Sequence, residues 1–332
     1  MNAVVDWRWL YAKTNGVLTL QALDSDGVVP KQTLTPTDLP VVIRCIVLVS
    51  ELTVVTGGAF MLLLTSSVIG VVVRSLLHVS LAATTKDVLL ENTFIQQICE
   101  TVAYAWGLGA FMSCFVRRSK RDLARRLTGF GWGGYRTCCV SLTLHFVTTV
   151  VLVLLQQQTT SPALVSWTNV TTALYRPDGS FAATAIIQKL LLAPMKEELF
   201  FRGAVVLVTI NRLQSAKWSA VISAALFAAV HLANARHVGA QYSASYVAFQ
   251  VLWASLVGLF LALELAVSGS VVVCFVLHVI NNTFALTMST TDDVILTQPL
   301  VAFSVIAALV IYFVAIANQL RRLRSVELQK QL

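Results

Sequence analysis

The chemistry this chain could perform rests on acids, imidazoles and an amide set among apolar residues. The run APMKEELFFRG, from Ala193 to Gly203, holds two adjacent carboxylates followed by an arginine. On a helix Glu198 and Arg202 stand four residues apart with the acid first, the favourable order for an ion pair, so these two neutralise one another. Glu197 projects about 100° away around the same helix and cannot share that arginine equally. It needs another partner or another purpose, and a carboxylate so placed suits the task of taking a proton from water. Two more segments supply partners. Phe227 and His231 lie one helical turn apart, as do His278 and Asn282. A lone histidine in apolar surroundings is most simply a hydrogen-bonded packing residue, and His145 is read that way. Glu197, His231 and His278 on three separate segments outweigh that reading.

The elements that must position these groups are membrane spans. The chain has 332 residues, 57% hydrophobic and only 12% charged, with a mean hydropathy of +0.76. Soluble domains carry about 25% charged residues. Uncharged runs cover 52–73, 101–116, 137–155, 218–235, 238–263, 265–291 and 294–320, most of them near the roughly 20 residues that cross about 30 Å of hydrocarbon. An eighth, 181–211, has the length but carries Lys189, Lys196, Glu197, Glu198 and Arg202. Charge at membrane depth costs about 2.5–3.5 kcal/mol per group and marks a functional site by default.

Topology argues for keeping this charged span. The net charge of +8 concentrates in Arg117, Arg118, Lys120, Arg121, Arg125 and Arg126, in one loop, and in Arg321, Arg322 and Arg324 near the end. Both clusters face the cytoplasm by the positive-inside rule only if eight spans are counted. That rule accounts for the basic runs, so no nucleic-acid partner is inferred. The expected class is therefore all-α, a polytopic membrane protein of about eight transmembrane helices with both termini cytoplasmic. Residues 1–38 read as a polar extension with Trp7, Trp9 and Tyr11 at headgroup level, 39–180 as N-terminal transmembrane helices, 181–290 as a catalytic helical core, and 291–332 as the last span with a basic cytoplasmic tail. Asn169 opens a glycosylation sequon of small weight. Gly129, Gly131 and Gly134 spell GxGxxG, but no strand precedes them and a loop is expected. The six cysteines form no CxxC pair and read as packing residues.

In this order, on separate spans, EExxxR (Glu197, Glu198, Arg202), FxxxH (Phe227, His231) and HxxxN (His278, Asn282) resemble the signature motifs of the CAAX prenyl protease and bacteriocin-processing family of intramembrane proteases. The resemblance covers about 182–282. Ala193-Pro194 and Ala248-Phe249-Gln250 look more specifically like the type II CAAX prenyl endopeptidases, the Ras-converting enzymes. It implies a core of eight membrane helices and an endopeptidase that removes the last three residues of prenylated CAAX proteins with a glutamate-activated water. By position, Glu197 with His231 would activate that water, His278 and Asn282 would hold and stabilise the oxyanion, and Glu198, Arg202 and Phe227 would support the site. The implied partners are a prenylated CAAX substrate and the lipid bilayer. The implied location is the endoplasmic reticulum membrane in a eukaryote or the plasma membrane in a prokaryote.

Other readings stay open at the level of the sequence. Glu197, His231 and His278 would also supply three zinc ligands, but no HExxH helix exists and Asn282 is a better oxyanion donor than ligand, so no cofactor is expected and zinc is the lesser alternative. Family members that process bacteriocin-like peptides or confer immunity are a second alternative, and a non-catalytic scaffold or transporter is a third. One point of geometry stands out. His231 comes late in an inside-to-outside span whereas Glu197 sits past the middle of one running the other way, so the fifth span must begin closer to Arg212 and run long, or tilt.

Overall fold

A computed structural model describes residues 40–80, 94–116, 119–129, 131–156, 171, 174–176, 179–240, 242–286 and 299–329. The polar extension at 1–38, Asn169, Arg117 and Arg118 lie outside them. The chain is an all-α polytopic membrane protein. Its helices are α1 (Val41–Ser80), α2 (Phe94–Phe115), α3 (Lys120–Leu127), α4 (Trp132–Gln156), α5 (183–213), α6 (Ala216–His231), α7 (Ala244–Ser268), α8 (Val271–Ala285) and α9 (Pro299–Gln329). Among the described residues, five of them, α1, α2, α6 with its short extension, α7 and α9, are long and apolar enough to cross a membrane, and α8 is a shorter apolar helix. The basic loop expected at 117–126 is in large part the short helix α3, capped by the Ser119 side chain accepting from the Asp122 N–H. Gly134, expected in a loop, sits in the first turn of α4, where a Cβ would come within 2.4 Å of Val273. Its missing side chain lets α4 meet α8.

Tight hairpins are written into the sequence as a left-handed residue followed by serine. Gln214 takes φ 50° after α5 and Gly269 takes φ 69° after α7. Ser215 and Ser270 then cap α6 and α8 by accepting from the N–H groups of Trp218 and Val273, which satisfies otherwise orphaned donors of the first turn. These hairpins also resolve the depth problem. Helix α6 begins three residues after Leu213, and His231 is its last residue. Glu197 and His231 lie a similar number of residues from that turn, so at about 1.5 Å per residue both stand roughly 22–24 Å from it.

Apolar side chains of α1 and α9 such as Val49, Val68, Phe313 and Val314 point outward, as a lipid-facing surface requires. The core lies around α5, α7 and α8, where Leu207, Ile210, Leu261, Leu265 and Cys274 are fully buried. Polar ties cross it. Glu264 on α7 is fully buried and accepts from Gln319 of α9, with Arg322 4.0 Å away. Glu51 of α1 pairs with Arg212 of α5, both nearly buried. Removing one partner of a buried pair strands the other charge. Glu51→Ala and Arg212→Ala should each therefore lower stability by about 3–5 kcal/mol, and Glu51→Leu combined with Arg212→Leu by much less. Thermal unfolding in detergent checks this; additive losses would show that the two side chains act separately.

Candidate functional site

Helix α5 is not a uniform α-helix. Two five-residue π-turns, Gln188–Leu192 and Phe201–Val205, flank the α-helical Ala193–Phe200. Pro194 near the start of that segment has no N–H to donate back, and the wider turn before it lets the helix continue. Such π-turns frequently accompany functional sites. The segment between them carries Lys196, Glu197 and Glu198, and their directions differ. Lys196 reaches Glu100 on α2 at 2.8 Å. Glu198 points into the core and Glu197 stays 37% exposed.

Glu198 and Arg202 have no exposed surface, and Arg202 Nη1 lies 3.1 Å from Glu198 Oε1. The guanidinium also donates from Nη2 to the Gly258 carbonyl at 3.3 Å and lies 4.7 Å from the centre of the Phe227 ring. Close approach by α7 makes this possible, since a Cβ on Gly258 would come within 3.3 Å of the Ala224 backbone and 3.1 Å of Phe227. Phe227 packs edge-to-face on Phe201, His231 and His278. The Ser223 hydroxyl donates to the Phe201 carbonyl, pinning α6 to the second π-turn.

The two histidines have fixed tautomers. His278 Nδ1 lies 2.7 Å from Glu198 Oε1. A carboxylate paired with arginine accepts, so a neutral His278 ring donates from Nδ1 and leaves the Nε2 lone pair open. His231 Nδ1 lies 2.8 Å from the Phe227 carbonyl, which also only accepts. Its Nε2 is likewise left open. His278 Nε2 faces Glu197 Oε2 across 3.6 Å, too far for a direct hydrogen bond and a spacing that a water bridges.

Phe227, His231, His278 and Asn282 line one cavity of about 120 Å³, room for several waters. Glu197 stands beside it through His278. No hydrogen bond or ion pair joins Glu197 to His231, so the expected pairing of those two is replaced by Glu197 with His278. Glu198, expected only to brace the site, holds His278 directly. The sequence reading missed three residues on this cavity. His145, read as packing, lines it from α4 with Nδ1 2.8 Å from the Ser141 carbonyl and its ring 5.1 Å from that of Phe284. Ser141, four residues before it, is the signal that was present. Trp253 and Asn281 line it too, and only the adjacency of Asn281 to Asn282 hinted at one of them. Among the described residues, no group of three or more His, Cys, Asp or Glu side chains is disposed to hold a metal ion.

Residues 178–284 match the family model described as type II CAAX prenyl endopeptidase Rce1-like. This Rce1-like stretch is about a third of the chain. That domain contains Glu197, Glu198, Arg202, Phe227, His231, His278 and Asn282, and the family is one of CAAX-type membrane proteases. His145 and the helices α1 to α4 lie before the Rce1-like domain and α9 after it. No curated protein and no solved structure matches the chain.

Arg202 tests the electrostatic frame of the Rce1-like domain. Arg202→Met leaves the Glu198 carboxylate buried without its cation and should lower stability by about 3–5 kcal/mol. Arg202→Lys keeps the charge but loses the fork that reaches both Glu198 and Gly258, and should cost about 1.5–3 kcal/mol. Midpoints of thermal denaturation, followed by size exclusion in detergent, report both, and a native midpoint in Arg202→Lys would refute a role for the fork.

Proposed function

We propose that this protein is an intramembrane endopeptidase that removes the C-terminal tripeptide from prenylated CAAX proteins. The observation that carries the proposal is the 3.6 Å gap between Glu197 and His278 Nε2 at the edge of a cavity that also holds His231 and Asn282. In this reading a water beside the gap donates one proton to each of these two groups.

In this reading Glu197 takes one proton as the hydroxyl oxygen adds to the scissile carbonyl carbon. His278 Nε2 orients the second O–H, and Glu198 keeps the imidazole in the required tautomer. Asn282 donates to the oxyanion that develops, a contribution of about 100- to 1000-fold for one such donor. Collapse reforms the carbonyl and breaks the C–N bond, and Glu197 returns its proton to the leaving nitrogen. The products are a prenylated cysteine carboxylate and a tripeptide, whose amine takes up the remaining hydroxyl proton. His231, with Nε2 open, accepts a backbone N–H of the incoming peptide or shares in activating the water. The substrate is held to the same bilayer by its prenyl group. No cofactor takes part.

The test is release of a labelled tripeptide from a farnesylated CAAX peptide by the purified chain in proteoliposomes. Glu197→Gln and His278→Ala should each lower the rate by about 100- to 10,000-fold, the range for a lost general base, while the protein accumulates normally. Native rates in either variant would remove that residue from the mechanism. Cleavage should persist in a strong chelator; loss that added zinc restores would replace the glutamate scheme with a metal one.

A further inference from the structure

An asparagine is a useful oxyanion donor only if its NH₂ group, rather than its carbonyl oxygen, faces the substrate. The two ends of the amide are nearly equal in size and opposite in polarity, so shape does not choose between them. Something else must set the direction of Asn282.

The side chains beside it form a directional chain. Trp253 Nε1 donates to Asn281 Oδ1 at 3.1 Å, and Asn281 Nδ2 donates to Asn282 Oδ1 at 3.3 Å. An indole N–H is donor only. Asn281 must therefore turn its oxygen toward Trp253, because the reverse orientation would set two donors against each other. With its oxygen committed, Asn281 presents NH₂ to Asn282, which must answer with Oδ1. Both hydrogens of Asn282 Nδ2 are then free for the cavity that all three residues line. The Trp253 ring is itself braced, edge-to-face on Tyr312 of α9 at 4.9 Å and against Phe249 at 5.6 Å.

We propose that Trp253 and Asn281 are positioning residues that fix the polarity of the Asn282 amide, so that it meets the oxyanion with its NH₂ group. The proposal deepens the protease reading and rests on it for the oxyanion. Without the relay, the Asn282 amide can reverse and present its oxygen to a developing negative charge, which repels it. The loss then appears in turnover and leaves substrate capture unchanged, since the ground-state carbonyl carries little charge.

The test compares variants in proteoliposomes with the farnesylated CAAX peptide. Trp253→Phe keeps an aromatic ring on Tyr312 but deletes the N–H, and should lower kcat about 5- to 10-fold with KM unchanged. Asn281→Asp still accepts from the indole but cannot donate to Asn282, and should lower kcat about 100-fold, the scale of one lost oxyanion donor. Asn282→Ala should fall at least as far, and adding Asn281→Asp to it should cost nothing more. Native kcat in Trp253→Phe overturns the relay, as does an unchanged effect of Asn281→Asp on top of Asn282→Ala. A second readout needs no substrate: the Trp253 indole proton, identified by its loss in Trp253→Phe, should exchange with solvent about tenfold faster in Asn281→Ala. If the native chain leaves the peptide intact, the protease reading fails while this exchange still decides the relay; equal exchange rates overturn it.

Discussion

Everything at the site hangs from the contact between Glu198 and Arg202, two opposite charges with no exposed surface inside a helical membrane protein. Taking such charges out of water costs several kcal/mol each, repaid only by close geometry and further hydrogen bonds. Close geometry is supplied here, with one further hydrogen bond to each group. The arginine also reaches the Gly258 carbonyl and the face of Phe227, and the glutamate also accepts from His278. The pair therefore ties α5 to α6, α7 and α8 at a single point, and these four helices provide every residue of the proposed reaction.

Short helices and tight hairpins set the depth of the site. Helix α6 has sixteen residues and α8 fifteen, both less than a full crossing at 1.5 Å per residue. They bring His231 and His278 to the level of Glu197 without a long tilt. The π-turns of α5 act around the axis rather than along it. Each adds a residue to one turn and rotates the helix beyond it, while between them the ordinary 100° step of an α-helix turns Glu198 to the arginine and Glu197 to the edge of the cavity.

The polarity of the cavity comes from groups that can only donate or only accept. The carbonyls of Phe227 and Ser141 and the carboxylate of Glu198 each take an imidazole Nδ1–H, so in the neutral rings Nε2 is the nitrogen left open. The indole of Trp253 imposes the opposite sense on the asparagines. A site that activates water and receives an oxyanion needs acceptors on one side and donors on the other, and backbone and indole groups that cannot reverse their roles hold that division.

The sequence by itself determined the membrane class and the order of the helices, because each of these is local. Hydropathy acts along a run, serine caps and left-handed turns act within a few residues, and the four-residue spacing of Glu198 and Arg202 already defines their pair. It also held the constraint that His231 and Glu197 must share a depth. Tertiary structure decided which groups face each other. That Glu197 meets His278 rather than His231, that Glu198 holds an imidazole as well as its arginine, that His145 joins the cavity, and that Trp253 orients an asparagine on the next helix all depend on rotation about helix axes and on the close approach that Gly258 permits. No spacing within one helix encodes such a rotation. It is set by the packing of side chains from α4, α6, α7, α8 and α9 against one another, most of them far apart in the chain.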